Sequence, residues 1–434
     1  MRIGIRAEYK NHWERRVALT PDHVRELVSL HGVAVDVQPM PRRIFADQDY
    51  REAGADIDPD LTKCRVILGI KEIPAERILP GRTYVLFPHV TKGQAVNAPM
   101  LRRFLELRCT VVDYEQIVDR KQRRLVYFGR HAGYAGMIDT LWALGQRLAA
   151  EGFFTPLEHV RLAHHYTSVE EAMQHVSRLG EHIRHVGLPV GLRPIVVAFT
   201  GSGNVSRGAQ EIYDRLPVTE IDPVELRTLE ENRDLPRHAV FKAVLERSDR
   251  YRRIDGALYE EADFLAHPDA YESALDDLLP HLTVLVHGAF WAPGQPVLVR
   301  RDQLARLVAS EPQPKLRVIG DITCDIDGSI ASTVRATDPG DPVYVYDPGS
   351  GDTRRGVEGR GVVTMAVDNL PTELPADASQ HFGDSLLRFV GPLARCDWDL
   401  PYAQLDLPPE LHRAVIVHQG QMTPGYTAFA PEPV

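Results

Sequence analysis

The chain has 434 residues and a formal net charge of −10; 44% of its residues are hydrophobic and 25% are charged. This length allows two or three domains, and the composition is that of an ordinary globular protein. The acidic balance argues against a general nucleic-acid-binding protein, and no apolar run reaches the roughly 18 residues of a membrane span, so no membrane association is expected.

The four cysteines are widely spaced and form no C-x-x-C motif. We therefore expect neither a disulfide framework nor a cysteine zinc site, and we expect a reducing compartment. Residues 1–6 lack the long apolar core of a signal peptide and are predicted as a first strand, so the expected location is the cytoplasm.

Strand-like and helix-like segments alternate along the chain, which is typical of α/β proteins with parallel sheets. In chain order, hydrophobic runs predict strands at 1–6, 33–37, 65–70, 84–87, 110–114, 195–200, 283–286, 317–320, 343–346 and 361–367. Apolar residues at helical spacing predict helices at 21–31, 100–107, 136–150, 168–186 and 207–213. The prediction is an α/β protein with two Rossmann-like domains, each with a parallel sheet, and an active-site cleft between them.

The domain prediction divides the chain at a glycine-rich turn and its flanking helices. Residues 1–136 and 371–434 are expected to form the substrate and catalytic domain. Residues 137–370 are expected to form the dinucleotide-binding domain, with the helices at 136–150 and 168–186 bridging the two.

A glycine-rich turn follows the hydrophobic run 195–200 and precedes a helix-like segment. In a dinucleotide-binding turn the first glycine permits the tight bend, and the second lets the backbone approach the pyrophosphate. The helix then offers its free N–H groups to the phosphates. Ser206 stands where a third glycine or alanine is usual, and it is small enough for close packing of helix and strand. The residues predicted to contact the cofactor here are Gly201, Gly203, Asn204, Val205 and Ser206.

The identity of the cofactor is less sharply marked. Asp222 stands about where a ribose-binding acid belongs, and an acid there favours NADH. Arg227 is close enough in sequence to meet the 2′-phosphate of NADPH instead. Both cofactors therefore stay open on the residues alone.

Polar residues follow several predicted strands, at the sheet edge where ligands bind in α/β proteins. Lys71 and Glu72 follow one strand, His89 another and Glu115 a third. A lysine beside a carboxylate and an imidazole can exchange protons near neutral pH. Alternatively, such residues are solvated charges or helix caps. On the glycine-loop side, the strand-end residues are Asp321 and Asp368.

Two further groups of residues have competing interpretations. In the segment Glu14-Arg15-Arg16, an arginine either binds a substrate carboxylate or is surface charge. His164, His165, His182 and His185 look like a metal cluster, but they lack cysteines or carboxylates at ligand spacing. No metal site is predicted.

Several separate motifs, in order along the chain, resemble those of the lysine-ketoglutarate reductases. This enzyme family is also called saccharopine dehydrogenase (lysine-forming) and belongs with the alanine dehydrogenase and transhydrogenase N-terminal-domain superfamily. The resemblance extends from Arg2 to about Val390. The motifs are Glu14–Arg16 with Ala18–Pro21, Gly69–Pro74, His89, Phe128-Gly129, Ala132–Asp139, Gly203–Ser206, Val367–Pro371 and His381–Asp384.

The resemblance implies condensation of the ε-amine of L-lysine with 2-oxoglutarate, followed by hydride reduction to saccharopine. It implies that Lys71 and His89 are the acid–base pair and that Glu115 tunes the pKa of Lys71. Arg16 would hold a substrate carboxylate, with Glu14 near the amine. Asp321 and Asp368 would line the cofactor side, and NADPH would be the cofactor, with NADH as the alternative.

The chain also departs from the family. Ala331-Ser332 stand where an acidic residue is expected, and residues 151–190 are less familiar, which leaves room for another amine or keto acid. The half that oxidises saccharopine in bifunctional enzymes is missing, so a free-standing reductase is expected. An opine-type or alanine-type amino-acid dehydrogenase, a cofactor-sensing protein without turnover, and self-association all stay open.

Overall fold

A computed structural model describes residues 1–91, 95–232, 235–310 and 313–431. The chain forms two compact units: unit 1 is Met1–Phe128 with Pro375–Val434, and unit 2 is Gly129–Leu374. The predicted boundary at residues 136 and 137 would cut through a helix, Gly129–Ala150. Because a helix is hydrogen-bonded continuously, it belongs to one unit from its first turn.

The strands and helices are numbered in chain order. The strands are β1 Arg2–Ile5, β2 Ala34–Val37, β3 Asp56–Ile57, β4 Val66–Leu68, β5 Thr83–Leu86, β6 Thr110–Asp113, β7 Val196–Thr200, β8 Val218–Glu220, β9 Val240–Leu245, β10 Tyr251–Arg253, β11 Tyr271–Ser273, β12 Val284–His287, β13 Val318–Asp321, β14 Val343–Tyr346, β15 Thr353–Arg355, β16 Val362–Met365, β17 Val415–His418 and β18 Gln421–Met422. The α-helices are α1 Pro21–His31, α2 Asp47–Glu52, α3 Ala98–Glu106, α4 Gly129–Ala150, α5 Val169–Val186, α6 Asn204–Tyr213, α7 Arg247–Arg250, α8 Glu261–Ala266, α9 Arg301–Ser310, α10 Pro375–Arg395 and α11 Pro409–Ala414.

Unit 1 contains an eight-stranded sheet in the order β18-β17-β6-β5-β4-β1-β2-β3. Strands β1 to β6 are parallel, whereas β17 pairs antiparallel with β6 and β18 antiparallel with β17. The carboxyl ends of β1, β4, β5 and β6 therefore lie side by side at one edge, and the segments that follow them meet there.

Unit 2 contains a second eight-stranded sheet, in the order β15-β14-β16-β13-β12-β7-β9-β8. Six of its strands are parallel, and β14 pairs antiparallel with β16 on one side and with β15 on the other. Both units thus confirm the predicted α/β class with two domains built on mainly parallel sheets. The strand beside β7 is β9, and β8 lies one position farther out.

The strand β7 is buried on both faces, as its unbroken hydrophobic sequence predicts. Val197 and Phe199 face the core that contains α4, and Val196 and Ala198 face the core on the other side. In the described parts of the chain, no helix combines the length and apolar character needed to cross a membrane.

Candidate active site

Lys71 lies just beyond the end of β4, half-buried at the carboxyl edge of the sheet in unit 1. Burial, helped by the positive charges of Arg16 and Lys10, lowers the pKa of its ammonium from 10.5 to about 8. The negative charges of Glu72 and Glu14 act in the opposite direction. A substantial fraction of the amine is therefore neutral just above neutral pH.

Glu72 is paired with His89, which follows β5. The Nδ1 of His89 and the Oε1 of Glu72 are 2.5 Å apart. Burial alone would raise the pKa of Glu72, but the hydrogen bond and charge of His89 outweigh it and lower this pKa to about 2. Because the carboxylate accepts a hydrogen bond from Nδ1–H, Nε2 is the nitrogen left to exchange a proton with a substrate.

His89 has a φ of 50°, in the left-handed region that non-glycine residues seldom occupy. Such a conformation costs on the order of 1–3 kcal/mol and persists only where surrounding contacts impose it. The ion pair with Glu72 and the parallel ring of Phe87, with centroids 6.1 Å apart, hold the imidazole in place.

Glu14 and Arg16 are both buried and form a bidentate pair. The Nε of Arg16 donates to Oε1 of Glu14 at 2.8 Å, and Nη2 donates to Oε2 at 2.6 Å. The guanidinium lies over the ring of Phe128, 4.3 Å from its centroid, and Phe128 stacks on Phe382 at 4.4 Å. The motifs that contain Phe128 and Phe382 therefore form an aromatic wall behind Arg16.

Glu115, predicted to tune Lys71, is buried after β6, and its Oε1 lies 3.0 Å from Nη2 of Arg124. The carboxylates with a marked influence on Lys71 are those of Glu72 and Glu14. The structure thus brings Lys71, Glu72 and Glu14 together and gives Glu115 a different basic neighbour. In the sequence, Glu72 is marked only as a residue that follows a strand. Its contact with His89, which follows the neighbouring strand β5, leaves no local pattern from which it could be predicted.

The glycine-rich turn of unit 2 lies between β7 and α6. Gly201 has a φ of 72°, so the bend requires glycine there. A Cβ on Gly203 would meet no atom within 4 Å, and the turn residues Ser202, Gly203 and Asn204 are exposed. The first N–H groups of α6 therefore open onto free space, as a pyrophosphate requires.

Behind this turn, Ser206 is buried, and the close packing that a third glycine usually allows comes from two glycines elsewhere. A Cβ on Gly133 of α4 would lie 2.1 Å from the carbonyl oxygen of Val205. A Cβ on Gly208 would lie 2.2 Å from the carbonyl oxygen of Arg130. Helices α4 and α6 thus touch backbone to backbone, which fixes the direction in which α6 presents its amino end.

Asp222 follows β8, is exposed, and caps the next turn by accepting the N–H of Val224 at 3.0 Å. The acid beyond the strand adjacent to β7 is instead Glu246, which follows β9. The last residue of β9, Leu245, accepts the N–H of Gly201 at 2.8 Å, so Glu246 adjoins the glycine turn. The usual spacing along the sequence points to Asp222 because β8 precedes β9, although β9 lies next to β7.

Asp321 ends β13 and is buried. Its Oδ1 accepts the Thr323 hydroxyl at 2.7 Å, and its Oδ2 accepts the Thr333 hydroxyl at 2.6 Å. Burial raises the pKa of Asp321, although these bonds oppose the rise. Asp368, after β16, is exposed. Burial raises the pKa of the Cys324 thiol, and the negative charges of Asp321 and Asp368 both add to the rise. Both predicted aspartates therefore belong to one strand-end cluster in unit 2.

These features fit a dinucleotide, because the open cradle over Gly203, the left-handed Gly201 and the exposed acid Glu246 match its phosphate and ribose groups. Among the described residues, no three histidine, cysteine, aspartate or glutamate side chains are grouped as a metal site would need.

Two family models match the chain. The alanine dehydrogenase/PNT N-terminal domain matches residues 4–135, and the alanine dehydrogenase/PNT C-terminal domain matches residues 238–425. A solved structure of L-alanine dehydrogenase is similar over 99% of both chains, with a TM-score of 0.61 and 19% sequence identity. At that identity the likeness establishes the fold.

Two curated relatives are informative. The alpha-aminoadipic semialdehyde synthase of Arabidopsis thaliana is 39% identical over 98% of this chain, which covers 41% of that protein. The chain therefore spans less than half the length of this relative. The saccharopine dehydrogenase [NAD(+), L-lysine-forming] of Neurospora crassa is 26% identical, with 91% of each chain covered.

Proposed function

We propose, from the premise that the chain belongs to the alanine dehydrogenase/PNT family, that it forms saccharopine from L-lysine and 2-oxoglutarate with a reduced nicotinamide cofactor. The observation that carries the proposal is the position of the Lys71 amine, whose pKa is lowered to about 8 by burial, beside the Glu72–His89 ion pair. The name of the Neurospora relative, a lysine-forming saccharopine dehydrogenase, supports the choice of lysine and saccharopine.

Condensation of an amine with a ketone needs a base and an acid. The substrate's ε-ammonium loses one proton to solvent before it attacks C2 of the keto acid and a second one after the C–N bond forms, and the carbonyl oxygen gains two protons to leave as water. In this proposal neutral Lys71 accepts the second proton of the nitrogen and passes it to the oxygen. Nε2 of His89 donates the other proton to the departing oxygen and regains one from solvent. Glu72 holds the imidazole of His89 by its Nδ1–H and so orients Nε2, as a carboxylate orients a catalytic histidine.

The nicotinamide, when bound, supplies the hydride that reduces the resulting C=N bond. The overall balance is lysine, 2-oxoglutarate, reduced cofactor and one proton giving saccharopine, oxidised cofactor and water. Unit 1 carries the proposed acid–base groups, and unit 2 carries the proposed nucleotide-binding turn at Gly201–Ser206.

The substrate carboxylates need cationic partners, and Arg16 is proposed for one of them. Glu14, bonded to Nε and Nη2, and the ring of Phe128 hold the guanidinium rigidly, so a substrate carboxylate would approach its other edge, at Nη1 and Nη2. Beside Glu72 lies a cavity of about 420 Å³, partly lined by Tyr9, Lys10 and Asn97, which offers space for an aliphatic amine chain within unit 1.

For the cofactor we propose NADPH, on the resemblance set out above, with NADH as the alternative. An acid beyond the strand adjacent to β7 would bind an unmodified ribose, and Glu246 occupies that place, which favours NADH. The ratio of kcat/KM for the two cofactors, measured in wild type and in Glu246→Gln, decides between them.

A reducing compartment, the cytoplasm, is proposed because all four cysteines are free.

The test is an oxidation assay of NADPH and of NADH with 2-oxoglutarate plus L-lysine, with mass spectrometry of the product. We expect saccharopine and stoichiometric cofactor oxidation. Pyruvate plus ammonia is the control pair for an alanine-type dehydrogenase. Turnover with that pair and none with lysine would overturn the proposal, as would cofactor binding without turnover on any pair.

A further inference from the structure

Two buried charged side chains that the proposed chemistry does not use, Arg6 and Glu8, lie against the segment 69–72 that contains Lys71 and Glu72. Arg6 and Glu8 follow β1, which pairs in parallel with β4 so that Ile5 is opposite Leu68. The register carries the chain segments after both strands along the same edge, and the N–H of Arg6 donates to the carbonyl of Leu68 at 3.0 Å. Arg6 is only 4% exposed and Glu8 only 2%.

Glu8 binds the backbone on one side of Lys71. Its Oε1 accepts the N–H of Ile70 at 2.7 Å, and its Oε2 accepts the N–H of Lys71 at 3.0 Å. Arg6 binds the other side, since its Nη2 donates to the carbonyl oxygen of Lys71. The two side chains also face each other, with Nη2 of Arg6 3.4 Å from Oε2 of Glu8. The buried ion pair therefore binds both the N–H and the C=O of Lys71.

Gly69 provides a separate sign that this arrangement is built into the sequence. A Cβ at residue 69 would lie 2.2 Å from Nε of Arg6 and 2.6 Å from its Cζ. The guanidinium thus occupies the space that any other side chain at residue 69 would fill. The Gly69-Ile70-Lys71-Glu72 motif consequently has its glycine where Arg6 passes.

We propose that the Arg6–Glu8 pair is a positioning device for the acid–base group: it fixes the backbone of Ile70–Glu72 so that Lys71 and Glu72 are held in their working orientation. The geometry stands by itself, and the link to turnover rests on the function proposed above. The segment lies beyond the end of β4. The carbonyl of Ile70 accepts the N–H of Phe87, just after β5, at 2.8 Å, whereas the N–H groups of Ile70 and Lys71 and the carbonyl of Lys71 bind the side chains of Glu8 and Arg6.

The side chain of Lys71 must place its amine within hydrogen-bond reach of the substrate, and Glu72 must keep contact with His89. A displacement of about 1 Å at a reacting group costs on the order of 10²-fold in rate. Neither Arg6 nor Glu8 needs to touch substrate for this effect, because each acts through the backbone of Lys71.

The experiment compares Glu8→Gln and Gly69→Ala with Asp36→Asn. Asp36 is a matched control: its buried carboxylate pairs with Arg2 at the other end of β1 and accepts from Cys64, away from Lys71. The measurements are kcat, the KM of each substrate, the Kd of NADPH, and amide hydrogen exchange of the segment 69–72.

We expect Glu8→Gln and Gly69→Ala to lower kcat by roughly 10- to 100-fold and to speed exchange of the Ile70 and Lys71 amides, with the Kd of NADPH unchanged. Asp36→Asn should keep kcat within about twofold even where it lowers the melting temperature. A folded Glu8→Gln protein with wild-type kcat and wild-type exchange overturns the inference. So does an equal loss of kcat in Asp36→Asn, since the effect would then be one of stability.

The two proposals fail differently. If wild type makes no saccharopine, the proposed function is wrong, and amide exchange in the same variants still decides whether Arg6 and Glu8 fix the segment. Gly69→Ala retains both charges, so it gives an answer where Glu8→Gln does not fold.

Discussion

At the scale of single residues, Lys71 and His89 are separated in sequence but share one carboxylate neighbour, Glu72. We expect Lys71→Met and His89→Gln to lower turnover by at least ~100-fold, because a general acid or base typically contributes that much. Binding of NADPH, followed by its fluorescence, should be unchanged. Wild-type turnover in both variants would remove these residues from the mechanism.

The pH dependence of the rate distinguishes the carboxylates near Lys71. Because neutral Lys71 is the proposed base, kcat/KM should rise with pH up to about 8, the pKa set by burial. Glu72 favours the ammonium form, so Glu72→Gln should lower this pKa and shift the acidic limb to lower pH.

Glu115→Gln is the matched control for that shift. Its carboxylate is paired with Arg124, so removing the charge should leave the acidic limb nearly where it is in wild type. A larger shift in Glu115→Gln than in Glu72→Gln would instead support the role that resemblance assigns to Glu115.

At the scale of elements, the turn between β7 and α6 depends on an open backbone. Gly203→Leu should weaken NADPH binding by at least about tenfold, because its side chain would occupy the space that the pyrophosphate needs. Gly425→Leu is the matched control, since a Cβ there also meets no atom within 4 Å but the residue lies in unit 1. Equal Kd values for NADPH in the two variants would contradict the assignment of the turn.

One helix boundary differs between the prediction and the structure. The helix predicted at 136–150 begins at Gly129, because its first two turns contain glycines and polar residues that hide the apolar periodicity. Gly133 explains this composition, since the backbone of α6 packs directly against it. Ser168, the first residue of the helix predicted at 168–186, is the N-cap of α5, and its hydroxyl accepts the N–H of Glu171 at 3.1 Å.

For the molecule as a whole, the free energy of unfolding should depend on pH because of a buried pair of acids in unit 2. Asp139 and Glu373 interact directly and are almost fully buried. Burial raises the pKa of Glu373 from 4.5 to about 8, and burial together with Glu373 raises that of Asp139. At neutral pH the folded protein therefore holds protons that the unfolded chain has lost.

The sign of the effect follows from this difference in bound protons. Between pH 4.5 and 8 the folded state binds more protons, so the free energy of unfolding falls as pH rises. Glu373→Gln removes this titration, and its stability relative to wild type should rise across that window by roughly 1–3 kcal/mol. Denaturant unfolding at several pH values measures it.

Glu211→Gln is the control for the pH series. Against burial, hydrogen bonds from Arg130 and Tyr134 lower the pKa of Glu211, so that carboxylate does not titrate between pH 5 and 8. Its stability relative to wild type should be constant across that range. Parallel curves for wild type and Glu373→Gln would mean that the acids do not hold an extra proton in the folded state.

Local patterns in the sequence were enough to predict the α/β class, ten strands, five helices, the glycine turn and the strand-end positions of Lys71 and His89. These follow from local patterns: hydrophobic period, glycine spacing and the end of each apolar run. Three features are visible only in the folded chain: β9 lies beside β7, Glu72 contacts His89, and Arg6 and Glu8 bind the backbone of Lys71. Strand order and cross-strand contacts join residues far apart in the chain, and no local pattern encodes which of them become neighbours.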